Sequence, residues 1–579
     1  MNNSLYQSVM QVDADKNAYD FACSQINANQ KYPEINFFGI TYSFSDIQKL
    51  TLKTVHALAA AGLKKGDNVI ISIISTPEAV ALLYACCYIG CVPVLVDVRA
   101  SFSEMSNLIE KTDAKMLFLS DYRSRGAKLL RENHKACKIV IVSVVEINSF
   151  LRRTRNLSLF MSGEGMLCIS GKDNIISWKQ FIAAAGDPEK TEAEIKAMED
   201  GSGKVIFASS GTTGEPKYVV LDNRKLNLSA VQHCFMKTEF EKIESVLSIM
   251  PIFTCFGFIM GLQFPMIIGK KIFLVPEHRI KRIPYWVKRL RPSAIAATPG
   301  HFKEMLTSKY LKNTEVSFIK FLLCGGDFFD VKDIERVNNF LAAGGSEVKI
   351  INGYGMTEVA SGAVQLDLQN YHPDSIGSCL PLVSVKVVKE GTQTEVEDGQ
   401  EGEVCLYTPC QTEGYYKNPE ATEKLLKKHA DGREWIHTGD VGYIGENGCL
   451  YLKGRIKRMV VTQSGTKIFL NQLEEAINRI EGVQKSAAVM IQSPDDGYSK
   501  YLFLYVVLKE RGFVSRSRVM KKIKQLCYSE LPQYLVPDYI RLCKKLEQTP
   551  SGKISYTILE KKSEEQLKHR LVKRYYTLR

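Results

Sequence analysis

Short apolar runs that alternate with helical patterns along most of the chain predict an α/β protein. The chain has 579 residues, too many for one hydrophobic core, so we expect three or four structural units or one large domain of layered α/β sheets plus a small one. From about residue 385 to 454 the pattern changes to short β segments separated by Gly and Asp. This change predicts a small β subdomain.

The first elements follow from their capping and burial patterns. Ser45 can cap a helix that Gly62 would end, and residues 69–74 form an expected buried strand. Pro77 and Glu78 open the next helix. Further buried strands are expected at residues 92–96, 115–119, 138–144, 205–208, 271–275, 294–297, 318–323 and 348–351.

Three stretches depart from this alternation. Residues from about 152 to 200 are polar and poorly periodic, so they are predicted to be a connecting excursion. Residues 79–96 and 249–268 lack charged side chains over about the length that could span a bilayer. Proline and glycine interrupt both windows, which favours buried pieces of a large core over membrane spans; these residues are Gly90, Pro93, Pro251, Gly257, Gly261 and Pro265.

The composition indicates an ordered globular protein with reduced thiols. Hydrophobic residues make up 45% and charged residues 24% of the chain, which leaves little room for extensive disorder. The N-terminus carries Asp13 and Asp15 instead of a basic and apolar progression, so no secretory signal is expected. The 15 cysteines show no CxxC pair and no Cys/His spacing suited to zinc, which predicts free thiols in a cytoplasmic protein.

The positive charge is concentrated near the C-terminus. Of the net charge of +13, residues 458–579 carry most, with 23 Lys and Arg against 12 Asp and Glu. Such a balance suits a cofactor phosphate, an acidic carrier protein or nucleic acid, or simply a solvated helix face. No nucleic-acid recognition module accompanies it, so a nucleic-acid partner is not expected.

Residues 209–217, reading SSGTTGEPK, follow a buried strand and have the composition of a phosphate-binding turn. Glycine lets the backbone approach a ligand, so that successive N–H groups and hydroxyls could surround oxyanions. The turn is not a Walker A loop, because the Gly-Lys-Ser/Thr ending is absent and Pro216 precedes the lysine. A polar hairpin is the alternative. The phosphate-binding candidates are Ser209, Ser210, Gly211, Thr212, Thr213, Gly214 and Lys217.

Two later strands are expected to end in glycine-bearing turns that carry a carboxylate. Residues 321–327 read FLLCGGD and residues 352–358 read NGYGMTE. Ligands of open α/β sheets bind at such carboxyl ends. In the second turn Tyr354 can stack on a base, and Thr357 and Glu358 can serve phosphate and Mg²⁺, although a Glu after a turn is also common at helix N-termini.

Three polar strings follow toward the C-terminus. HTGD places Asp440 after a glycine, where its carboxylate could accept hydrogen bonds from two ribose hydroxyls, or could be an ordinary turn aspartate. GRIKR, residues 454–458, puts a lysine and two arginines at an expected boundary. TPSGKI holds Lys553 on a loop delimited by Pro and Gly, a place where a lysine is ordinarily solvated.

Taken together and in order, these strings resemble the adenylate-forming superfamily of acyl-CoA synthetases, peptide-synthetase adenylation domains and luciferases. The resemblance runs from about residue 41 to 559 and includes SSGTTGEPK, CGGD, NGYGMTE, HTGD, GRIKR, PSGKI and the segment from GEVCLY to EGYYKNPEAT. Many motifs in the right order are far more specific than any one of them. The resemblance implies a large N-terminal domain, residues 1–454, followed by a small, mobile α+β domain, residues 455–579.

The resemblance also implies an ATP site. Residues 209–217 would hold the β- and γ-phosphates, while Asp440 and Arg455 would bind the ribose. The residues that would frame the adenine and its neighbouring groups are Gly325, Gly326, Asp327, Asn352, Gly353, Tyr354, Gly355, Met356 and Thr357.

The implied chemistry is two-step acid–thiol ligation. Glu358 would bind Mg²⁺, with Thr357 beside it, and Lys553 would bridge the substrate carboxylate and the α-phosphate while pyrophosphate leaves. Lys457 lies where the family has its hinge, so the C-terminal domain would rotate between adenylation and acyl transfer.

The sequence departs from the family pattern at three places. Tyr218 follows the loop lysine where a small residue is usual, and Thr254 stands where a histidine is common. Beyond the hinge, residues 467–475 read KIFLNQLEE without the usual proline and first glutamate, and one extra residue precedes Gly465. The adenylation residues are intact, so these changes concern the second half-reaction.

The segment between Ser248 and Gly269 resembles the acyl-pocket lining of the family. It contains no acidic residue to pair with an amino-acid ammonium group and is rich in Phe, Ile and Met, with Thr254, Phe256 and Gly257 as pocket candidates. We expect an apolar acid, fatty or aryl. The expected acceptor is coenzyme A, with a phosphopantetheinyl carrier protein as one alternative and a weakly active acyl- or nucleotide-binding protein as another.

Overall fold

The structure is a computed structural model that describes most of the chain. The described residues are 12–121, 124–143, 175–185, 202–209, 217–235, 240–277, 279–369, 371–461, 467–492, 500–509, 516–529, 531, 535–548, 553–568 and 576–577.

A seven-stranded sheet forms the first layer, in the order β7-β6-β5-β3-β4-β8-β9. Its pairs are parallel except for the antiparallel pair of β8 and β9. The strands up to residue 222 are β1 (Glu34–Phe37), β2 (Ile40–Ser43), β3 (Asn68–Ser72), β4 (Val92–Leu95), β5 (Met116–Ser120), β6 (Lys138–Val142), β7 (Ile175–Ser177), β8 (Lys204–Ser209) and β9 (Lys217–Asp222). The helices are α1 (Ala18–Asn29), α2 (Phe44–Ala60), α3 (Pro77–Ile89), α4 (Phe102–Thr112), α5 (Ser124–Asn133) and α6 (Trp178–Ala183).

A nine-stranded sheet forms the second layer, in the order β16-β15-β14-β13-β12-β10-β11-β1-β2. Its later strands are β10 (Ser245–Ser248), β11 (Lys271–Leu274), β12 (Ala294–Ala297), β13 (Phe321–Cys324), β14 (Ile351–Met356), β15 (Ser361–Gln365) and β16 (Ser378–Cys379). The helices of this part are α7 (Asn223–Cys234), α8 (Cys255–Phe258), α9 (Phe264–Ile267), α10 (Ile283–Leu290), α11 (Pro299–Thr307) and α12 (Val331–Ala343). Short 3₁₀ turns cover Phe240–Lys242, Ile280–Arg282 and Thr357–Val359.

One hydrophobic core joins the two large sheets. Side chains of β3 and β5 from the first sheet and of β11 and β14 from the second belong to a single buried cluster. All residues of α3 except Tyr88 are buried, because this helix packs on several sides. The layered α/β prediction is confirmed.

A five-stranded sheet follows, made of β17 (Ser384–Val388), β18 (Gly402–Tyr407), β19 (Leu426–Lys428), β20 (Glu434–Ile444) and β21 (Leu450–Arg455), with α13 (Pro419–Leu425) inserted. The order is β17-β18-β20-β19, and β21 pairs with β20. Its pairs are antiparallel.

The last part of the chain has the predicted α+β character. It contains a 3₁₀ turn at Ile456–Arg458, β22 (Met459–Val461), β23 (Lys467–Phe469), α14 (Leu470–Asn478), β24 (Val483–Gln492), β25 (Lys500–Leu508), α15 (Arg516–Ser529), β26 (Tyr539–Cys543), α16 (Tyr556–Lys568) and β27 (Tyr576–Thr577). The strands β24 to β27 form a four-stranded sheet with its own buried core against α14 and α15.

Several elements differ from the sequence predictions. The cap of α2 is Ser43, not Ser45, because Ser43 and Asp46 form a reciprocal capping box. Within the predicted excursion, β7 is the edge strand of the first sheet and α6 follows it. Ser177 and Gln180 form another capping box at the start of α6. Local side-chain pairs therefore fix elements that periodicity missed.

The two long uncharged windows are buried in the core. The first divides as expected into α3 and β4, with Gly90 ending the helix at a φ of 74°. In the second, Gly257, Gly261 and Pro265 do not interrupt the helical run, because a π-helix over Ile259–Gln263 joins α8 to α9. None of the described helices combines the length and apolar character needed to cross a membrane.

Glu78 is a buried carboxylate in the first turn of α3. It is 6% exposed, and Oε2 has no hydrogen-bond partner among the described residues. Burial raises the pKa of Glu78 from 4.5 to about 7. The group therefore binds its proton more tightly in the folded chain than in the unfolded chain.

We expect Glu78→Gln to flatten the dependence of unfolding on pH. Because the pKa of Glu78 is raised in the folded chain, its protonated carboxyl group stabilises the fold fully below about pH 4.5. This stabilisation is lost as pH rises to about 7, which lowers the free energy of unfolding by on the order of 3 kcal/mol. Melting temperatures between pH 5 and 8 measure the slope. Glu110→Gln, at an exposed site, is the control and should keep the wild-type slope. A Glu78→Gln slope equal to that of the wild type would show that Glu78 does not cause the pH dependence.

Candidate active site

Strand register brings the two glycine-bearing segments side by side. β13 and β14 are parallel neighbours, with Cys324 opposite Asn352. Gly325, Gly326 and Asp327 follow directly after β13, and Gly325 lies against the carbonyl oxygen of Gly353. The two segments thus meet at the carboxyl edge of the second sheet, as the sequence predicts.

The NGYGMTE segment is not the predicted turn. Residues 352–356 belong to β14, which continues as an antiparallel partner of β15. Thr357 and Glu358 lie in the 3₁₀ turn that follows, together with Val359. This turn leads into β15 through Ala360 and Ser361, whose φ values are 56° and 106°. Non-glycine residues in this conformation are strained, and such strain concentrates at functional sites.

Asp440 and Tyr354 connect the β subdomain to the second sheet. The Tyr354 hydroxyl donates to Asp440 Oδ2 at 2.6 Å, and Arg455 Nε lies 2.6 Å from Asp440 Oδ1. Asp440 and Arg455 are cross-strand partners on β20 and β21. Burial raises the pKa of Asp440 and outweighs the opposing effects of Arg455 and Tyr354. A buried carboxylate is therefore held in place by a cation and a hydroxyl.

Glu358 forms a second anchored carboxylate. It is 6% exposed, and the Tyr415 hydroxyl donates to its Oε1 at 2.7 Å. The backbone N–H of Thr412 donates to the Glu358 carbonyl oxygen at 2.7 Å. Lys217 Nζ lies 4.6 Å from the centre of the Tyr415 ring. The end of the predicted phosphate loop therefore lies near Glu358.

Lys553 reaches this site from the C-terminal part of the chain. Burial lowers the pKa of its ammonium group, and the nearby Arg455 acts in the same direction. The carboxylates of Asp327, Glu358 and Asp440 oppose the shift. A half-buried lysine that feels three carboxylates and an arginine is well placed to act on an anionic substrate.

The apolar segment beside the site is shaped by a capped helix. Thr254 caps α8: its hydroxyl donates to the Pro251 carbonyl at 2.8 Å and accepts from the Gly257 N–H at 3.1 Å. A Cβ at Gly257 would lie 2.0 Å from the Pro251 oxygen, so only glycine fits. The Phe256 ring lies 3.7 Å from the Cβ position of Gly325. Phe256 therefore lies beside the predicted adenine-binding edge.

Other predicted site residues lie partly or wholly outside the described residues. Ser210, Gly211, Thr212, Thr213 and Gly214 belong to this group. Ser209 and Lys217 are cross-strand partners at the ends of β8 and β9, so they bracket the loop. Lys457 lies in the turn Ile456–Arg458, and its side chain is not described.

Tyr218, which departs from the family pattern, lies on β9 next to the loop. Its carbonyl oxygen accepts from the Tyr416 N–H at 2.7 Å. Lys111 Nζ lies 5.2 Å from the centre of its ring. Tyr218 therefore connects the first sheet, to which it belongs, with the segment that supplies Tyr415.

One contact outside the predicted set joins the large part of the chain to its C-terminal part. Arg479 Nη2 of α14 lies 3.0 Å from Asp330 Oδ2. The other oxygen of Asp330 accepts from the Lys332 N–H at 2.8 Å and caps α12. Neither residue belongs to a motif, so the sequence gives no signal for this ion pair.

Tyr415 was also missed as a site residue, although its EGYYKNPEAT segment contributes to the family resemblance. We expect Tyr415→Phe to lower adenylation activity about tenfold, because Glu358 would be left buried without its donor, at a cost of about 1–3 kcal/mol. Steady-state pyrophosphate exchange measures the effect. Tyr416→Phe changes the adjacent half-buried ring and should retain full activity; equal losses in both variants would contradict this role for the Tyr415 hydroxyl.

Family models match both parts of the chain. The model described as AMP-binding enzyme matches residues 24–416, and the one described as AMP-binding enzyme C-terminal domain matches residues 472–553. Among curated proteins, a long-chain-fatty-acid–CoA ligase of Bacillus subtilis is 26% identical over 526 residues, 90% of each chain. A 3-[(3aS,4S,7aS)-7a-methyl-1,5-dioxo-octahydro-1H-inden-4-yl]propanoyl:CoA ligase of Rhodococcus jostii is 23% identical over 528 residues, covering 90% of this chain and 93% of the relative.

Solved structures share the fold. The crystal structure of the anthranilate CoA ligase AuaEII in complex with anthranoyl-AMP superposes with a TM-score of 0.79 at 18% identity. The superposition covers 97% of this chain and 99% of that one. The arrangement of a large domain followed by a small one is therefore shared over nearly the whole length.

Proposed function

We propose that this chain, which belongs to the AMP-binding enzyme family, activates an apolar carboxylic acid with ATP and transfers the acyl group to coenzyme A. The observation that carries the proposal is the convergence of Lys553, Glu358 and Asp440 on one site from three separate parts of the chain. Acid activation and CoA ligation are also the activities named for the curated relatives.

In the first half-reaction, a carboxylate oxygen attacks the α-phosphorus of ATP and pyrophosphate leaves. Lys553 would neutralise the negative charge shared by the carboxylate and the α-phosphate. Asp440 would accept hydrogen bonds from the ribose hydroxyls, and Tyr354 would lie against the adenine. Residues 209–217 would hold the β- and γ-phosphates.

Glu358 fits the role of a magnesium ligand. Its carboxylate is buried, and the Tyr415 hydroxyl fixes its orientation through Oε1. Oxygen ligands are those that Mg²⁺ prefers, and Thr357 is adjacent in the same turn. The ion would supply positive charge to the departing pyrophosphate.

In the second half-reaction, the thiol sulfur would attack the acyl carbonyl and AMP would leave. We place the domain boundary at residues 454 and 455, with Lys457 as the hinge. Rotation there would withdraw Lys553 and bring another face of the basic C-terminal domain to the acyl-adenylate. The basic surface would attract the phosphates of coenzyme A.

The segment from α8 through α9 supports a fatty or aryl acid as the substrate. It is almost entirely buried and contains no carboxylate that could pair with an ammonium group. Acid-dependent exchange of pyrophosphate into ATP, measured over matched fatty, aryl and amino acids, tests this choice. A preference for amino acids over the unsubstituted acids would exclude it.

The acceptor is tested separately by supplying the preferred acid with coenzyme A or with a phosphopantetheinylated carrier protein. Formation of acyl-CoA supports the proposal, while loading of the carrier alone would assign the protein to carrier acylation. Exchange that is absent with every acid would instead indicate an acyl- or nucleotide-binding protein.

A further inference from the structure

A second cluster of ligand-forming side chains lies in the five-stranded sheet. Cys405 on β18 and His437 on β20 are cross-strand partners, and His429 begins the turn that joins β19 to β20. All three side chains are buried. The Cys405 sulfur and one ring nitrogen of each histidine lie within 4.8 Å of one another.

The hydrogen bonds of the two histidines leave lone pairs facing the cluster. His437 Nδ1 lies 2.8 Å from Glu403 Oε2, so Nδ1 carries the proton and Nε2 offers its lone pair. His437 Nε2 is 2.9 Å from His429 Nε2. His429 Nδ1 is buried and has no partner among the described residues, so it can accept the ring proton if Nε2 binds an ion.

Lys386, the cross-strand neighbour of Cys405, is paired with two carboxylates. Lys386 pairs with Cys405 across the strands, but its ammonium group lies 3.1 Å from Glu395 and 3.8 Å from Asp431. Glu403 adds a further negative charge beside His437. A divalent cation would therefore meet Lys386 as a lysine already paired with two carboxylates.

We propose that Cys405, His429 and His437 bind one Zn²⁺ ion, with Glu403 orienting His437. Zinc binds thiolate and imidazole at about 2.0–2.3 Å in tetrahedral geometry, which places ligand atoms about 3.3–3.6 Å apart. Small movements within the observed cluster reach these separations. A carboxylate on the outer nitrogen of a ligating histidine is the usual supporting contact in zinc sites.

Zinc binding replaces the thiol proton. Cys405 is a buried free thiol, and zinc binds the thiolate form, so the sulfur gives up its proton when the ion arrives. The S–H bond breaks, a Zn–S bond forms and one proton enters solution, while the His429 proton moves to Nδ1. Pairing of β18 with β20 brings Cys405 to the two histidines, so the spacing of the cysteines alone gives no indication of a zinc site.

The ion would stabilise the part of β20 that carries Asp440. Glu403 Oε1 accepts from the Gly439 N–H at 3.1 Å, while Oε2 faces His437. The zinc site and the ribose-binding carboxylate are thereby joined through one glutamate. We expect zinc to raise the melting temperature of the full-length protein.

The test is titration of the metal-free full-length protein with Zn²⁺ in the presence of a chromophoric chelator, at two pH values. We expect one ion per chain with release of one proton, and a thiolate charge-transfer band when Co²⁺ replaces Zn²⁺. Cys405→Ala and His429→Gln should abolish the tight site, whereas Glu403→Gln should weaken it about 10–100-fold.

Cys410→Ser is the matched control, because Cys410 is equally buried but lies outside the cluster. It should bind zinc like the wild type. Each variant is first compared with the wild type by circular dichroism, and the Co²⁺ spectrum of the wild type provides evidence that needs no variant. The absence of the Co²⁺ thiolate band, or stoichiometric zinc binding that survives in folded Cys405→Ala, would overturn the proposal.

Discussion

Lys553→Ala is expected to reduce acid-dependent ATP–pyrophosphate exchange by about 10²–10³-fold. The ammonium group is the positive charge that the C-terminal domain brings to a site with three carboxylates. Without it, the negative charges of the attacking carboxylate and the α-phosphate would repel each other. Exchange measured under saturating ATP and acid reports this step directly.

Lys562→Ala provides the control for Lys553. Lys562 lies on the same domain and pairs with Glu547 at its surface, so its loss should leave exchange unchanged. Chemically prepared acyl-adenylate gives a second comparison, because Lys553 is withdrawn in the proposed acyl-transfer arrangement. Lys553→Ala should convert that intermediate to acyl-CoA at close to the wild-type rate. If this variant kept the wild-type rate of ATP–pyrophosphate exchange, Lys553 would have no role in acid activation.

Gly355→Ala is expected to lower both stability and adenylation. The added Cβ would lie 1.8 Å from the Ser361 carbonyl oxygen, so β14 and β15 must separate. We expect a loss on the order of 3 kcal/mol in the free energy of unfolding. The displaced strand also carries Tyr354 and leads to Glu358, so the KM for ATP should rise while kcat falls.

Gly300→Ala separates this steric effect from the general effect of adding a methyl group. Gly300 lies in α11, and the nearest atom to an added Cβ is 3.8 Å away. Alanine favours helices, so this variant should be as stable as the wild type or slightly more so. Chemical unfolding and pyrophosphate exchange on both variants check the pair. A Gly355→Ala protein with wild-type stability would show that the two strands tolerate the methyl group.

The fold class could be predicted because the buried strands are strongly apolar and regularly spaced. Element boundaries depended on side-chain contacts that periodicity does not report. Ser43 replaced Ser45 as a cap because Asp46 completes the reciprocal hydrogen bonds. Residues 352–356 of the predicted turn belong to a strand because β15 pairs with them, while Thr357 and Glu358 lie in the 3₁₀ turn that follows.

The candidate site could be anticipated where residues lie in compact motifs. Asp440, Glu358 and Lys553 were predicted in this way, and the structure places Lys553 where both carboxylates act on its charge. Tyr415 lies in a segment that contributes to the family resemblance and Arg479 lies in none, but the role of each depends on one contact with a distant residue that the sequence does not report. Thr254 is understood only from the helix cap that it forms.

The contact between Asp330 and Arg479 makes the arrangement of the two domains sensitive to ionic strength. The arginine side chain is 51% exposed, and such ion pairs contribute about 0–1 kcal/mol and weaken as salt is added. The buried contacts of Asp440 are screened much less. Ionic strength should therefore shift the proportion of molecules that hold Lys553 in the site, and with it the relative rates of acid activation and thiol transfer.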